Sequence, residues 1–583
     1  MNLCIKDILK SFLFRLILLG IYSLGFYYGL YSDSISKQCE YYYFVCIIID
    51  LLKVSWIATL PYLFLTHLGI FLYVPIIESQ YKTIQTYSKV FNDRLYFRFV
   101  TRGTNNHTIR TNANEALNQC IKSLSNKINW TIEIVTDKEL NLKFQNKNIK
   151  QIVVPSDYIP PNNVKFKGRA LHYAVSASDA NNNDWIIHLD EETRFNHKTI
   201  LGILEHIRNN NDDYKIGQGV ILYAPERIFT KFDSLKNISL TIQHWITTLA
   251  DSIRVVDDYG RFRLQFEAQT SWFGIKGSFI VCKNLVEKQI GFDYGDDASI
   301  TEDTFFALNA VEYKVKYAFI NATMYESSPF TLFDFMKQRR RWIAGLWKVL
   351  KSPQLKLKTK LPLMFMVLFW SVSFVSWLVL IVIFIFRTST NNIYSSFLGF
   401  IFVLTCSLYI LGFLLSEPKK WIKTHGIIHW LLSFGLQIIG MPVFSFLEGI
   451  SIVYWLVSPE QKKFEIVQKE NDQVINDSIH IEETNKELSK CDIENNQKIN
   501  YHLSSMIITP STNLMIDNSC SKDKELNEIQ DKKLEKTTKK IMLVNTLSLA
   551  KMKTHSSSQS KSQESLPKTP ETPQLSTPSE III

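Results

Sequence analysis

The sequence predicts an α/β domain with a parallel sheet, set between membrane helices. Three observations carry that expectation. Apolar stretches of span length flank a charged central segment, residues 81–350. Inside that segment, short apolar strands alternate with helical patterns, as βαβ units do. One strand, Trp185-Ile-Ile-His-Leu, runs straight into Asp190, Glu191 and Glu192, and ligands of parallel sheets bind beyond strand carboxyl ends.

The first apolar stretch, residues 12–31, follows Lys6 and Lys10 and has no small-residue cleavage site after it. It is too long for a signal-peptide core and reads as an uncleaved membrane helix. Residues 54–77 form a second stretch, interrupted by Pro61 and His67, so residues 1–80 hold two expected N-terminal spans. In the central segment, strands are expected at 96–100, 130–135, 151–154 and 185–189, and helices at 113–124, 168–178, 197–209 and 304–310. Residues 351–457 make a C-terminal membrane region. Within it, residues 361–386 would rise roughly 39 Å as helix, enough to cross about 30 Å of hydrocarbon with tilt. Residues 394–415 give another span, and 427–457 a third, broken near Gly440 and Pro442. The tail, 458–583, is rich in Lys, Glu, Asn, Ser and Thr. It cannot bury enough apolar surface to offset chain entropy, which predicts disorder.

Net charge is +10. With no zinc-finger spacing or other nucleic-acid module, the basic excess points to a membrane partner and not to nucleic acid. The 8 cysteines are scattered without a CxxC pair, which fits a reducing compartment. Lys6, Lys10 and Arg15 lie on one side of the first span, and Lys37 alone in the loop after it. The positive-inside rule then puts the N-terminus and the large domain in the cytosol of a multi-pass protein. The sequon at Asn237 would never meet the glycosylation machinery.

Four features carry chemistry. Three adjacent carboxylates at a strand end repel one another unless a cation is present. Asp190 and Glu192, one residue apart, suit a hard divalent ion such as Mg²⁺ or Mn²⁺, which also grips diphosphate; a solvated, helix-capping turn is the other reading. Thr301-Glu302-Asp303 offers a base for an acceptor hydroxyl, Asp303 ahead of Glu302, or else the N-cap and first turn of a helix. Gln338-Arg-Arg-Arg341-Trp342 offers guanidinium forks for a diphosphate and an indole for a sugar, or a juxtamembrane basic patch. Phe273-Gly-Ile-Lys-Gly277-Ser278 lets backbone approach a ligand, or forms a plain turn.

Their order resembles family 2 glycosyltransferases over about residues 95–346. Asp190-x-Glu192 is similar to that family's metal-binding D-x-D, with Glu in the second place; Thr301-Glu-Asp303 resembles its catalytic-base motif, and Gln338, Arg341 and Trp342 match Q-x-x-R-W. Lys167-Gly-Arg169-Ala-Leu, His188-Leu-Asp-Glu-Glu-Thr193, Phe273 to Ser278 and Phe292-Asp-Tyr-Gly295 resemble the egghead-type β-1,4-mannosyltransferases. The resemblance implies a GT-A-type, Rossmann-like nucleotide-sugar domain. It implies GDP-mannose as donor, a glycolipid such as glucosylceramide as acceptor, a divalent metal, and a membrane of the ER or Golgi. It also implies that Thr101, Arg102, Asp137, Lys167, Arg169 and Asp190 meet the nucleotide, and that Gly277, Ser278, Glu302, Gln338, Arg341 and Trp342 meet diphosphate or acceptor. Two alternatives stay open. A processive polysaccharide synthase shares the motifs. A non-catalytic receptor or transporter would explain an ionisable residue such as Glu448 inside a span.

Overall fold

The computed structural model describes residues 5–35, 59–75, 93–124, 127–140, 146–210, 214–223, 235–371 and 392–458, with a few short pieces between them. The expected disordered tail, apart from Ser458, and much of the expected span at 361–386 lie outside the described residues. In chain order the main elements begin with α1 (Ile5–Ile35), α2 (Leu60–Leu72), β1 (Leu95–Thr101) and α3 (Asn106–Ser123). Next come β2 (Trp130–Thr136), β3 (Ile149–Val153), α4 (Phe166–Ala177), β4 (Trp185–Asp190), α5 (His197–Asn210) and β5 (Ile216–Tyr223). A long helix, α6 (Leu235–Asp257), runs into a π-turn at Asp258–Phe262, before β6 (Ile280–Lys283), α7 (Asn284–Ile290), α8 (Glu302–Glu312) and β7 (Tyr317–Glu326). The C-terminal helices are α9 (Leu332–Lys351), α10 (Leu357–Ser371), α11 (Asn392–Leu415), α12 (Pro418–His425), α13 (Ile427–Ile439) and α14 (Met441–Val457).

The seven strands form one sheet in the order β3-β2-β1-β4-β6-β5-β7. All neighbours are parallel except β6, which runs antiparallel to β4 and β5. Every residue of β1, β2 and β5 is buried, as near-continuous apolar strands covered on both faces should be. Phe97 and Phe99 pack with Ile109 and Ala113 of α3 and Ile200 and Ile203 of α5. Tyr96 and Val100, on the opposite face, pack with Leu171 of α4, Val286 of α7 and Phe306 of α8. The strand order reverses between β1 and β4, which opens a crevice at their carboxyl ends.

That second face also hides a charged knot. Arg98 contacts Glu133 at 2.7 Å and Glu287 at 2.5 Å, and His188 Nε2 lies 3.6 Å from Glu287. Cys282 completes a group of three metal-capable side chains with His188 and Glu287. The Glu287 carboxylate already faces the fixed Arg98 cation there, so the group reads as an internal ion-pair network and not as a metal site.

The expected strands and helices of residues 95–210 are all present. The helix expected to start at Ala113 begins at Asn106, a polar first turn that the apolar pattern does not mark. Among the described residues, one helix, Phe397–Leu415, is long and apolar enough to cross a membrane. α13 and α14 pass the same test together but bend by 60° at Gly440, where the sequence predicts a break. Ser11–Tyr27 and Leu60–Leu72 are shorter apolar helices.

Candidate active site

One cavity of about 530 Å³ opens at the crevice. Thr101, Arg102, Asp137, Lys167, Asp190, Glu192, Gly277, Ser278, Glu302, Asp303, Gln338, Arg341 and Trp342 all line it. These residues span more than 240 positions of chain, and the fold brings them to one place.

The acidic cluster sits where β4 ends. Asp190 pairs in register with Val100 of β1. The next residues turn tightly: Thr193 N donates to Asp190 O at 3.0 Å, and Asp190 N donates to Thr193 Oγ1 at 3.1 Å. The turn separates the three carboxylates. Glu191 points back to β1 and α3 and accepts from Thr101 Oγ1 at 2.6 Å and Asn105 Nδ2 at 2.5 Å. All three line the cavity, but Glu191 is held at its edge by these two bonds. Thr101, expected at the nucleotide, thus spends its hydroxyl on Glu191. Arg169, expected beside it, is not among the lining residues. It donates to Asp137 at 2.7 Å and to the carbonyls of Tyr158 and Pro155, and so holds Asp137 from behind.

Lys167 joins the two acidic motifs. Its Nζ lies 2.5 Å from Asp190 Oδ1, 2.9 Å from Gly277 O and 3.5 Å from Glu302 Oε1. Burial works against its charge, yet Asp190 and Glu302 hold its pKa above the ordinary lysine value. Asp303 stands in the first turn of α8 and accepts from Thr304 N at 2.6 Å. That bond is the first-turn contact the helix-terminus reading expects, and the same side chain also lines the cavity. Burial pushes the Asp303 carboxyl up to about 7; the Glu302 charge adds to the rise and Lys167 opposes it. Burial raises Glu302 as well. A Cβ at position 277 would stand 3.1 Å from Asp303 Oδ2 and 3.0 Å from Lys167 Nζ, so glycine keeps the approach to that carboxylate open.

The α9 helix closes the other wall. Burial pulls the Arg341 pKa down, while the charges of Glu302, Asp190, Glu192 and Asp303 around it work the other way. The Trp342 ring meets two guanidinium groups, Arg254 at 4.5 Å and Arg339 at 4.6 Å. Arg339 itself bonds Asp251 on α6 at 2.5 Å and Glu448 on α14 at 2.7 Å. Glu448, the residue that would suit a transporter, is therefore half of an ion pair that ties α14 to α9.

Sequence reasoning missed Arg254 and Glu326. Glu326 lines the cavity and accepts from Ser278 Oγ, and from Thr193 Oγ1 at 3.2 Å. An acid at a strand end, the same signal as Asp190, marks it; Arg254 has no local signal.

A family model described as "Glycosyl transferase family group 2" matches residues 185–416. A β-1,4-mannosyltransferase, egh of Drosophila melanogaster, is 32% identical over 434 residues, 74% of this chain and 89% of that protein. The chain belongs to the family 2 glycosyltransferases. The β-1,4-mannosyltransferases bre-3 of Caenorhabditis elegans and Caenorhabditis briggsae are each 33% identical over 329 residues, 56% of this chain and 68% of theirs. As a family 2 glycosyltransferase, this enzyme takes a nucleotide-sugar donor and an acceptor, and its mostly parallel mixed sheet fits a GT-A fold.

A divalent metal, common in the family, fits this cavity. Nine carboxylates and seven Lys or Arg side chains line it, so an anionic diphosphate entering it needs added positive charge. Asp190 and Glu192 offer the hard oxygen donors that Mg²⁺ or Mn²⁺ prefers.

Proposed function

We propose that this glycosyltransferase moves mannose from GDP-mannose onto the sugar head group of a membrane glycolipid such as glucosylceramide, with inversion at the anomeric carbon. The names of the relatives support mannose as the sugar and a β-1,4 bond as the product. The observation that carries the catalytic reading is Asp303: a half-buried carboxyl pushed up to about 7, in the same cavity as Asp190, Lys167 and Arg341. A base with a pKa near the working pH is matched to removing a hydroxyl proton.

Asp303 takes the proton of an acceptor hydroxyl as that oxygen bonds to the anomeric carbon. The bond from that carbon to the diphosphate breaks on the opposite face, and GDP leaves with the electron pair. Lys167 and Arg341 meet the charge that develops on the leaving diphosphate. Asp190 and Glu192 would hold Mg²⁺ or Mn²⁺, which supplies Lewis-acid stabilisation of the same charge. Arg102 and Asp137 bind the nucleoside, where a carboxylate accepts from a base N–H or ribose hydroxyl. Gly277 and Ser278 pass along the diphosphate, and Gln338 and Trp342 face the acceptor side.

The architecture proposed with it is a cytosolic catalytic domain, residues 81–350, between two N-terminal spans within 1–80 and a membrane region at 351–457, with a polar tail at 458–583. The multi-pass enzyme works at the ER or Golgi membrane. The test is transfer by the purified full chain in lipid nanodiscs, with Mn²⁺ and a panel of nucleotide sugars and lipid acceptors. GDP-mannose and glucosylceramide should give one mannosylated product. A different preferred donor would refute the mannose assignment, and a polymer would refute single transfer.

A further inference from the structure

The cavity does not end at Asp303. It continues past the Phe273–Ser278 segment to Tyr62, Asp257 and Arg261, on α2 and at the break in α6. Resting on the reading of the protein as a lipid glycosyltransferase, we propose that Tyr62, Asp257 and Arg261 form the acceptor subsite. They would select a neutral, polyhydroxylated head group over an anionic one.

Three independent observations converge here. The first is the chemistry of the wall. Asp257 accepts from Tyr62 OH at 2.7 Å and from Arg261 Nε at 3.2 Å and Nη2 at 3.0 Å. Arg261 also faces the rings of Tyr62, Phe262 and Phe273 at 5.3, 4.4 and 5.5 Å. Carboxylate, guanidinium and phenol beside apolar ring faces are what a sugar needs: acceptors and donors for hydroxyls, and flat surfaces for its C–H face. The second is an underused donor. Arg261 Nη1 points at Met366 Sδ, 2.8 Å away, and a thioether is a weak acceptor. A hydroxyl oxygen there would be a better partner for a guanidinium N–H.

The third is how the backbone builds the wall. The π-turn contains Gly260 at φ −95° and ψ −105°, outside the helical region, and such single-turn interruptions recur at functional sites. A Cβ on Gly260 would meet Thr66 O at 2.6 Å, and one on Gly69 would meet Gly260 O at 2.1 Å. The two glycines let α2 and the π-turn touch backbone to backbone, which brings Tyr62 to Asp257. The turn also parts neighbouring acids: Asp258 is buried against Lys276 at 2.6 Å and Ile221 N at 2.9 Å, while Asp257 lines the cavity.

Charge selects the class of acceptor. Asp257 is balanced by Arg261, and Glu448 further along the wall by Arg339. A neutral glycosyl head group fits this balance, whereas a polyprenyl phosphate would bring an uncompensated negative charge beside two carboxylates. The Phe273–Ser278 segment links the two ends of this wall: Phe273 lies beside Arg261 and Gly277 beside Asp303, and Asp257 and Asp303 line the same cavity.

The test uses the full chain in nanodiscs, with GDP-mannose and either glucosylceramide or a polyprenyl phosphate. Asp257→Asn and Arg261→Gln should raise the KM for glucosylceramide about tenfold or more, and Tyr62→Phe, which removes a hydroxyl alone, by about threefold. The donor KM and the affinity for GDP should stay within about twofold of wild type in each variant; intact GDP binding shows that a weakened variant is folded. An unchanged acceptor KM in Tyr62→Phe and Asp257→Asn, or donor and acceptor KM rising together, would overturn the subsite. A wild-type preference for the polyprenyl phosphate would overturn the neutral head group. Wild-type protein that transfers no mannose to either lipid would instead sink the underlying functional reading.

Discussion

The proposed donor half of the cavity and the proposed acceptor half are built by different means. The donor half stands on strand ends. Asp190 ends β4 and Asp137 follows β2; a tight turn through Thr193 fixes the first and Arg169 holds the second. The acceptor half stands on helices that meet only in the fold. Arg339 reaches Asp251 and Glu448, 88 and 109 positions away, and Tyr62 reaches Asp257 across 195. A sheet end supplies a site whose residues can vary loop by loop. A helix junction supplies a site whose charges must balance across several elements at once.

That contrast can be broken by experiment, and the largest effect is expected in the donor half. Asp190→Asn should cost about a thousandfold or more in transfer rate, because it removes the proposed metal ligand and the Lys167 partner together. Chelation should silence the wild type, and Mn²⁺ should restore it. If Asp190→Asn keeps wild-type turnover, the strand-end cluster is not the donor site.

The acceptor half should fail first in stability. Arg339→Leu leaves Asp251, which is fully buried, with only the longer 3.8 Å contact to Arg254, and should cost about 3–5 kcal/mol. Chemical or thermal unfolding of the variant in detergent would measure it. A loss under ~1 kcal/mol would mean that the helices hold together without this pair.

A smaller effect ties the halves together. Asp303 must be ionised to act, and its carboxyl is pushed up to about 7. The rate should therefore fall about tenfold per pH unit below that value and level off above it. Stability should show the opposite sign. A carboxyl whose folded pKa is raised favours the fold when protonated, and that advantage is lost as pH rises from the ordinary Asp range through about 7. A rate that is flat between pH 5 and 7 would remove Asp303 from the base role. The smallest change is expected from Arg169→Ala, which loosens Asp137 without touching the reacting atoms. The donor KM should rise about tenfold with kcat nearly unchanged, and a kcat loss of equal size would place Arg169 at the chemistry.

The same contrast governs how much the sequence discloses. The Trp185 to Asp190 strand and the acids after it are local signals, and so are Thr301-Glu-Asp303 and the break at Gly440. The β5 strand was not legible because Gly217 and Gly219 dilute its pattern, and β6 is only four residues long. Nothing near Asp257 announces Tyr62, 195 positions away, as its partner; only Arg261, four residues on, is local to it. The role of Glu191 was equally hidden. It reads as one of three equivalent carboxylates, and the turn through Thr193 directs it away from the cavity's other two and onto Thr101 and Asn105.

The central claim is that Asp303 deprotonates a lipid-borne sugar hydroxyl in front of a bound GDP-mannose. The direct measurement is transfer from labelled GDP-mannose to glucosylceramide by wild type and Asp303→Asn, with GDP binding recorded on the same samples. The account predicts one β-linked mannose added by the wild type, and unaltered GDP binding with transfer reduced about 10²–10⁴-fold in the variant. Undiminished transfer by Asp303→Asn would contradict it.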